Sequence, residues 1–294
     1  MPYRGRFAPS PTGALHFGSL VAALGSWLRA RHCGGSWIVR IEDLDPPREV
    51  PGAAQQQIAT LAAFGLVSDE PVLWQHERHA AYAAALAQLV EQNQAFACWC
   101  SRSDLERNQG LHRGSCIATA DAQRTPAWRL RVPDTIVGFD DLVLGRYEQR
   151  LATEVGDFVI RRVEGYFAYQ LAVVVDDAAQ AITEVVRGAD LLDSTPRQIL
   201  LQRYLGLPTP RYLHLPLALD CAGRKLSKQD SALPVRGDDP LPALRSALAF
   251  LGLPTERWRH IGAVAPLLHA AAAAFELRAI PRSSSIVQTH HRLS

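Results

Sequence analysis

A chain of 294 residues, with 31 Lys and Arg against 29 Asp and Glu and a formal charge of +2, can bury one large core or two smaller ones without disulfide staples. Its 48% hydrophobic and 20% charged residues exclude disordered, collagen-like and heptad-built proteins. The near balance of charge excludes a histone-like polycation, so any grip on a nucleic acid must come from a local site.

Apolar runs and breakers alternate through the first part of the chain. Tyr3 to Ala8 reads as a strand, Gly18 to Arg31 as a helix, Ser36 to Ile41 as a strand and Ala53 to Phe64 as a helix. Strands separated by helices imply a mostly parallel sheet. The most apolar windows, Ala14 to Ala30 and Ile261 to Leu277, are broken by His16, Ser19 and Arg29 and by Pro266, His269 and Glu276. That pattern predicts no membrane span and no signal peptide, hence a soluble, cytoplasmic chain.

An Ala-rich helix from His79 to Gln92 precedes a Cys-containing stretch that runs to about Ala122. Trp128 to Val132 and Val137 to Leu144 read as paired strands, which makes 98–150 an insertion between residues 1–97 and 151–239, the two halves of an α/β unit. The βα pattern then resumes with a strand at Asp157 to Arg161, a helix at Tyr169 to Asp176 and a strand at Ile182 to Arg187. A helix from Thr195 to Tyr204 follows, with Thr195 expected as N-cap and Pro196 at the first helical position. Leu213 to Leu219 reads as one strand leading into the turn Asp220-Cys221-Ala222-Gly223. Two helical segments close the region 240–294, and Ser283 to Ser294 is a polar tail expected to fray.

Cys98-Trp99-Cys100 is followed after eleven residues by His112 and after three more by Cys116. Three thiolates and an imidazole fill a tetrahedral zinc shell and leave no open position for water, so the spacing predicts one structural Zn²⁺ per chain. The competing reading makes His112 a surface histidine with the fourth ligand elsewhere. Cys33 and Cys221 stand alone and read as inert thiols. The remaining histidines, His290 and His291 in the tail among them, have no site-like spacing and read as solvated.

The first predicted strand ends in Arg6-Phe7-Ala8-Pro9-Ser10-Pro11-Thr12-Gly13, and His16-Phe17-Gly18-Ser19 opens the helix behind it. Backbone N–H groups and the positive dipole end make such a start an anion site, and a glycine at 18 lets a nucleotide ring approach. An ordinary capped helix would read the same way. Further on, Lys225-Leu226-Ser227-Lys228-Gln229 follows a strand and the Gly223 turn and sets two ammonium groups on a loop.

The pair resembles the HIGH and KMSKS signatures of class I aminoacyl-tRNA synthetases, in the expected order. Arg40-Ile41-Glu42-Asp43-Leu44-Asp45, Tyr169 ahead of Val174-Val175-Asp176-Asp177, and Val186-Arg187-Gly188-Ala189-Asp190 extend the resemblance to glutamyl-tRNA synthetases, from about Tyr3 to Gln229. It implies a Rossmann-like α/β class I catalytic domain with a zinc-binding insertion and a short helical C-terminal region. It further implies that His16, Gly18, Lys225 and Lys228 are catalytic, and that His16, Gly18, Ser19 and Lys228 hold ATP with its Mg²⁺. Arg6, Phe7, Ala8, Pro9 and Ser10 would line the glutamate site, Glu42 would meet the α-ammonium, and Tyr169 and Arg187 would meet the side chain. A guanidinium fork suits a carboxylate, although Arg187 alone would also read as a surface arginine at a strand end.

Three positions depart from the family pattern: Ser19 replaces a second histidine, Gln229 replaces a serine, and Val173 stands where an asparagine is common. The first two keep a hydrogen-bonding group, whereas Val173 removes a polar contact and is expected to weaken glutamate binding. Beyond Gln229 the chain lacks the length of an anticodon-reading region. The resemblance therefore narrows to the stand-alone branch that activates L-glutamate with ATP and passes it to queuosine in the anticodon loop of tRNA(Asp). The alternatives are an adenylating enzyme that charges a tRNA 3′ end or a small acceptor, and a non-catalytic synthetase-derived RNA-binding module. His16, Gly18 and Lys228 argue against the last of these.

Overall fold

A computed structural model describes residues 2–106, 109–220, 223–224, 235 and 237–287. Lys225, Lys228, Gln229, Cys221, His290 and His291 lie outside the described residues. The chain enters through β1 (Arg4–Phe7), α1 (Phe17–His32), β2 (Ser36–Ile41), α2 (Ala53–Ala63) and β3 (Leu73–Trp74). The three strands are parallel in the order β1-β2-β3, with Arg6 opposite Ile38 and Arg40 opposite Leu73. Five of the six residues of β2 are buried, the near-continuous burial expected of a parallel strand covered on both faces.

After α3 (His79–Glu91) come β4 (Ala95–Cys98), α4 (Arg102–Glu106) and β5 (Ala127–Leu130). The hairpin β6 (Ile136–Asp141) and β7 (Gly145–Arg150) is followed by α5 (Leu151–Glu154) and β8 (Val159–Arg161). The second βα stretch runs α6 (Tyr169–Ala179), β9 (Glu184–Gly188), α7 (Thr195–Leu205), β10 (Arg211–Leu215) and β11 (Leu217–Leu219). Last come α8 (Pro240–Phe250), α9 (Val264–Ala274) and β12 (Ser285–Val287). Among the described residues, no helix is long and apolar enough to cross a membrane.

A second sheet has the order β7-β6-β10-β9, with β10 parallel to both β6 and β9. It abuts the first along β1 and β9: Thr183 N donates to Arg4 O at 2.9 Å, and Arg4 N donates to Thr183 Oγ1 at 2.8 Å. Across this seam the strands read β3-β2-β1-β9-β10-β6, so the winding reverses between β1 and β9. In open α/β sheets the crevice at the carboxyl ends of the strands beside such a reversal is where ligands bind.

The apolar face of α1, with Leu20, Leu24 and Leu28, packs into a core shared with Leu244 and Leu248 of α8 and Leu267 of α9. A second core gathers Tyr82 and Leu86 of α3, Leu171 and Val174 of α6, and Leu200 and Leu201 of α7. The Asp176 carboxylate pins this core: fully buried, it accepts from Gln75 Nε2 at 2.8 Å, Arg78 Nε at 2.7 Å and Tyr82 Oη at 2.7 Å.

Four expectations are corrected. Trp128 to Val132 and Val137 to Leu144 do not pair with each other. β5 lies between β4 and β8, antiparallel to both, while β6 pairs with β7 and β10. The single strand expected from Leu213 to Leu219 is cut at Pro216, which has no N–H to donate, and its halves join different sheets. Thr195 is the first residue of α7, not its cap, because its hydroxyl serves Arg187. The tail expected to fray begins in order, since β12 pairs in parallel with β11; residues 288–294 lie outside the described residues.

Asp176→Ala would strand a partly buried guanidinium and a buried phenol. The expected loss of unfolding free energy is about 3 to 5 kcal/mol, read from urea unfolding with an unchanged slope; a loss within experimental error would show that the carboxylate does not hold α3 to α6.

Candidate active site and metal centre

The carboxyl ends of β1, β2 and β9 open into a cavity of about 1170 Å³ at the strand-order reversal. Arg6 and Phe7 of β1 line it with Ala8, Pro9 and Ser10 of the loop that follows. So do His16, Gly18 and Ser19 at the start of α1, Glu42 just past β2, Tyr169 at the start of α6, and Arg187 in β9. Every described residue assigned from sequence to the nucleotide and amino-acid sites therefore shares one cavity. Lys225 and Lys228 lie outside the described residues.

His16 is the N-cap of α1, its Nδ1 accepting from the Ser19 backbone N–H at 3.1 Å. The capped-helix reading is thus met, and the first turn of α1 carries no acidic residue and lines the cavity. A Cβ at Gly18 would come within 3.2 Å of the His16 ring, so a side chain there would press on the cap.

Arg187 is 5% exposed, which overturns its reading as a surface arginine. Its Nη1 donates to Tyr169 Oη at 3.2 Å, its Nη2 to Thr195 Oγ1 at 2.7 Å and Leu191 O at 3.2 Å, and its Nε to His214 Nε2 at 3.1 Å. The guanidinium also lies over the Tyr212 ring, 5.5 Å from its centroid. Arg6 is equally enclosed: Nε and Nη2 donate to the two oxygens of Asp177 at 3.1 and 3.2 Å. Arg40, fully buried, reaches the same carboxylate at 2.8 Å and Glu42 at 3.3 Å.

Burial alone would raise the Asp177 carboxyl, but Arg6 and Arg40 outweigh it and hold the group below the usual carboxylate range. Glu42 goes the other way: burial pushes it above that range despite the pull of Arg40 and Arg6. Its carboxylate would thus gain from a further cation in the cavity.

Val173 is buried in the second core and does not line the cavity, so the departure from asparagine removes no group from its wall. Sequence reasoning quoted Arg40 and Asp177 within motifs without giving them a role, and it missed Gln57, Asp141 and His214. Gln57 Nε2 donates to Ser10 O at 3.1 Å and Gly13 O at 2.7 Å, pinning the loop after β1. The expectation that the remaining histidines are solvated fails at His214, which is fully buried. Its place between Leu213 and Leu215 in an apolar run was the available signal.

Cys98, Cys100, His112 and Cys116 place their ligand atoms within 4.8 Å of one another. His112 is buried, so it is not a surface residue, and its Nδ1 is 2.8 Å from Asp157 Oδ2. Its Nε2 is buried with no hydrogen-bond partner among the described residues, as suits a nitrogen whose lone pair serves a metal. Burial and the neighbouring sulfurs push the Cys116 thiol up to about 12. Three sulfur donors and one imidazole nitrogen brought this close together form a donor set that fits a metal ion. Gly156, at φ +68°, approaches His112 O so closely that a Cβ would lie 2.3 Å from it.

Residues 3–271 match the family model of the tRNA synthetases class I (E and Q), catalytic domain. The chain is 59% identical over 286 residues to a glutamyl-Q tRNA(Asp) synthetase of Xanthomonas axonopodis pv. citri, covering 97% of this chain and 95% of that one. It is 55% identical over 293 residues to the glutamyl-Q tRNA(Asp) synthetase of Burkholderia cenocepacia, covering 96% and 98%. Among solved structures it resembles a glutamate tRNA ligase from Elizabethkingia meningosepticum in complex with its amino acid, with a TM-score of 0.82 and 25% identity over 97% of this chain and 67% of that one. The glutamate-tRNA synthetase of Elizabethkingia anophelis gives a TM-score of 0.84, also at 25% identity, over 98% and 68%. With the strand-order reversal, the cavity and these relatives in agreement, the chain belongs to the class I tRNA synthetases of the E and Q type, in their catalytic domain.

Proposed function

We propose that this protein activates L-glutamate with ATP and transfers it to the queuosine base in the anticodon loop of tRNA(Asp). The observation that carries the reading is one cavity lined at once by Arg187 with Tyr169, by Glu42 and by the His16–Ser19 helix start. Those groups match a side-chain carboxylate, an α-ammonium and a nucleotide phosphate. The acceptor is supported by relatives that align over nearly their whole length and carry the name glutamyl-Q tRNA(Asp) synthetase.

In this reading Arg187 and Tyr169 take the γ-carboxylate and Glu42 the α-ammonium, leaving the α-carboxylate to point at ATP. An α-carboxylate oxygen attacks the α-phosphorus, the bond to the bridging oxygen breaks, and pyrophosphate leaves glutamyl-adenylate behind. ATP arrives as its Mg²⁺ complex, which neutralises the phosphates. The start of α1 steadies the nucleotide, and Lys225 and Lys228 are assigned to the charge that develops on the departing phosphates. A hydroxyl of the queuosine cyclopentenediol then attacks the adenylate carbonyl and AMP leaves. The loop bases of a tRNA can be splayed out to reach such a cavity.

Glutamate is expected to drive ATP–pyrophosphate exchange well ahead of glutamine, because an amide gives up a charge-assisted bond to Arg187 worth about 1 to 3 kcal/mol. Equal exchange with the two amino acids would remove Arg187 from this role. Queuosine-containing tRNA(Asp), and its isolated anticodon stem-loop, should take up labelled glutamate whether or not the CCA end has been trimmed enzymatically. Labelling lost with the CCA end would reassign the product to the 3′ terminus.

The metal is assigned as one structural Zn²⁺ per chain, held by Cys98, Cys100, His112 and Cys116. Metal analysis of protein purified without chelator should return zinc in equal amount to protein. Cys116→Ser should lose the metal and lower the melting temperature; a metal-free native protein of unchanged stability would refute the assignment.

A further inference from the structure

We propose that Asp141 and His214 form a positioning pair that fixes the donor edge of Arg187 and thereby sets the selectivity of the cavity for a side-chain carboxylate. The inference rests on the reading of Arg187 as the contact for that carboxylate.

The pair starts at the end of β6. Asp141 Oδ1 accepts three backbone N–H groups, from Val143 at 3.0 Å, Leu144 at 2.9 Å and His214 at 3.3 Å. That leaves Oδ2 for the His214 ring, whose Nδ1 lies 2.6 Å away. On the far side of the ring, Nε2 is 3.1 Å from Arg187 Nε. A carboxylate oxygen accepts only and a guanidinium nitrogen donates only, so the imidazole has one permitted state: neutral, with its proton on Nδ1 and its lone pair on Nε2. The ring cannot turn away, being stacked on Tyr212 at 6.3 Å and 12° and packed against Phe139.

The geometry makes Arg187 depend on a tautomer. Thr195 Oγ1 and Leu191 O hold Nη2, and His214 Nε2 holds Nε. The edge carrying Nη1, already bound to Tyr169 Oη, is the one left to meet a carboxylate in the cavity. Three acceptors on the opposite edge fix the plane of the guanidinium, and a fixed fork loses less freedom when its ligand arrives. If Nε2 became a donor, it would face Arg187 Nε–H donor to donor, and Nε would lose its acceptor, leaving Thr195 and Leu191 on Nη2 as the remaining hold on that edge.

Asp141→Asn tests this without removing bulk. The three backbone N–H groups keep the amide oxygen at the Oδ1 position, so the amide NH₂ faces His214 Nδ1 and drives the ring proton to Nε2. His214→Asn is the independent variant: it keeps a donor toward Asp141 and deletes the acceptor for Arg187. In glutamate-dependent ATP–pyrophosphate exchange, both variants should raise the KM for glutamate by about 10- to 100-fold. The KM for ATP should stay within about twofold. Nitrogen-15 NMR of the histidine rings should find His214 protonated on Nδ1 in the wild-type protein and on Nε2 in Asp141→Asn.

The inference is overturned if the glutamate KM is unchanged in folded Asp141→Asn, if the KM values for ATP and glutamate rise together, or if the ring proton stays on Nδ1. A wild-type protein showing no glutamate-dependent exchange would instead bring down the proposed function, and this inference with it.

Discussion

The carboxylate of Asp177, clamped between the guanidiniums of Arg6 and Arg40, ties α6 to β1 and β2 at the point where the sheet reverses its winding. All three groups are buried, and taking such charges out of water costs several kcal/mol for each ion unless geometry and hydrogen bonding return it. The three elements can therefore shift relative to one another only by stranding a charge in a dry interior. Tyr169 opens the same helix as Asp177, and Glu42 lies two residues beyond Arg40. The positions of two cavity groups thus follow from a contact that neither makes itself.

A second buried set governs the opposite wall. Arg187 receives Thr195 from α7 and His214 from β10, and His214 receives Asp141 from β6. Burial lowers the tendency of His214 to take up a proton, and the nearby Arg187 adds to that, while Asp141 opposes both without reversing the balance. The two walls differ in kind. Around Arg6 and Arg40 charges cancel in pairs, whereas Arg187 is held mainly by neutral acceptors, so its positive charge remains available to a ligand in the cavity.

The local chemistry of this arrangement was legible in the sequence, and its long-range pairing was not. Ser36–Ile41 was read to the residue because the apolar residues Trp37, Ile38, Val39 and Ile41, bounded by Gly35 and Glu42, mark a strand buried on both faces even with Arg40 inside it. The cavity residues were legible as motifs, since a strand end, a proline-rich turn and a helix start are contiguous in the chain. Asp141 was invisible for the opposite reason: its use depends on β6 lying beside β10, a pairing more than seventy positions apart in the chain that no local pattern encodes. His214 was misjudged because histidines were weighed by mutual spacing and not by the apolar residues on either side. Pro216 did carry a readable signal, as a residue without an N–H rarely continues a central strand.

The cysteine–histidine cluster and the cavity are joined by a short stretch of backbone. Asp157 accepts from Gly114 N and Val132 N as well as facing His112, so one carboxylate orients the histidine ligand, the loop to Cys116 and the end of the β5 segment. Two residues later the chain becomes β8, where Ile160 O accepts the N–H of Ala168 at 2.9 Å. Ala168 is the N-cap of α6, and Tyr169 is its first residue. The carboxylate that faces the His112 imidazole is thus three residues from the carbonyl that accepts from the N-cap of the helix presenting Tyr169 to Arg187. Asp177 holds the same helix two turns further along. The Cys98, Cys100, His112 and Cys116 cluster, which could hold a metal ion, thus lies outside the cavity and is joined to its wall through the single run of chain from Asp157 to Tyr169.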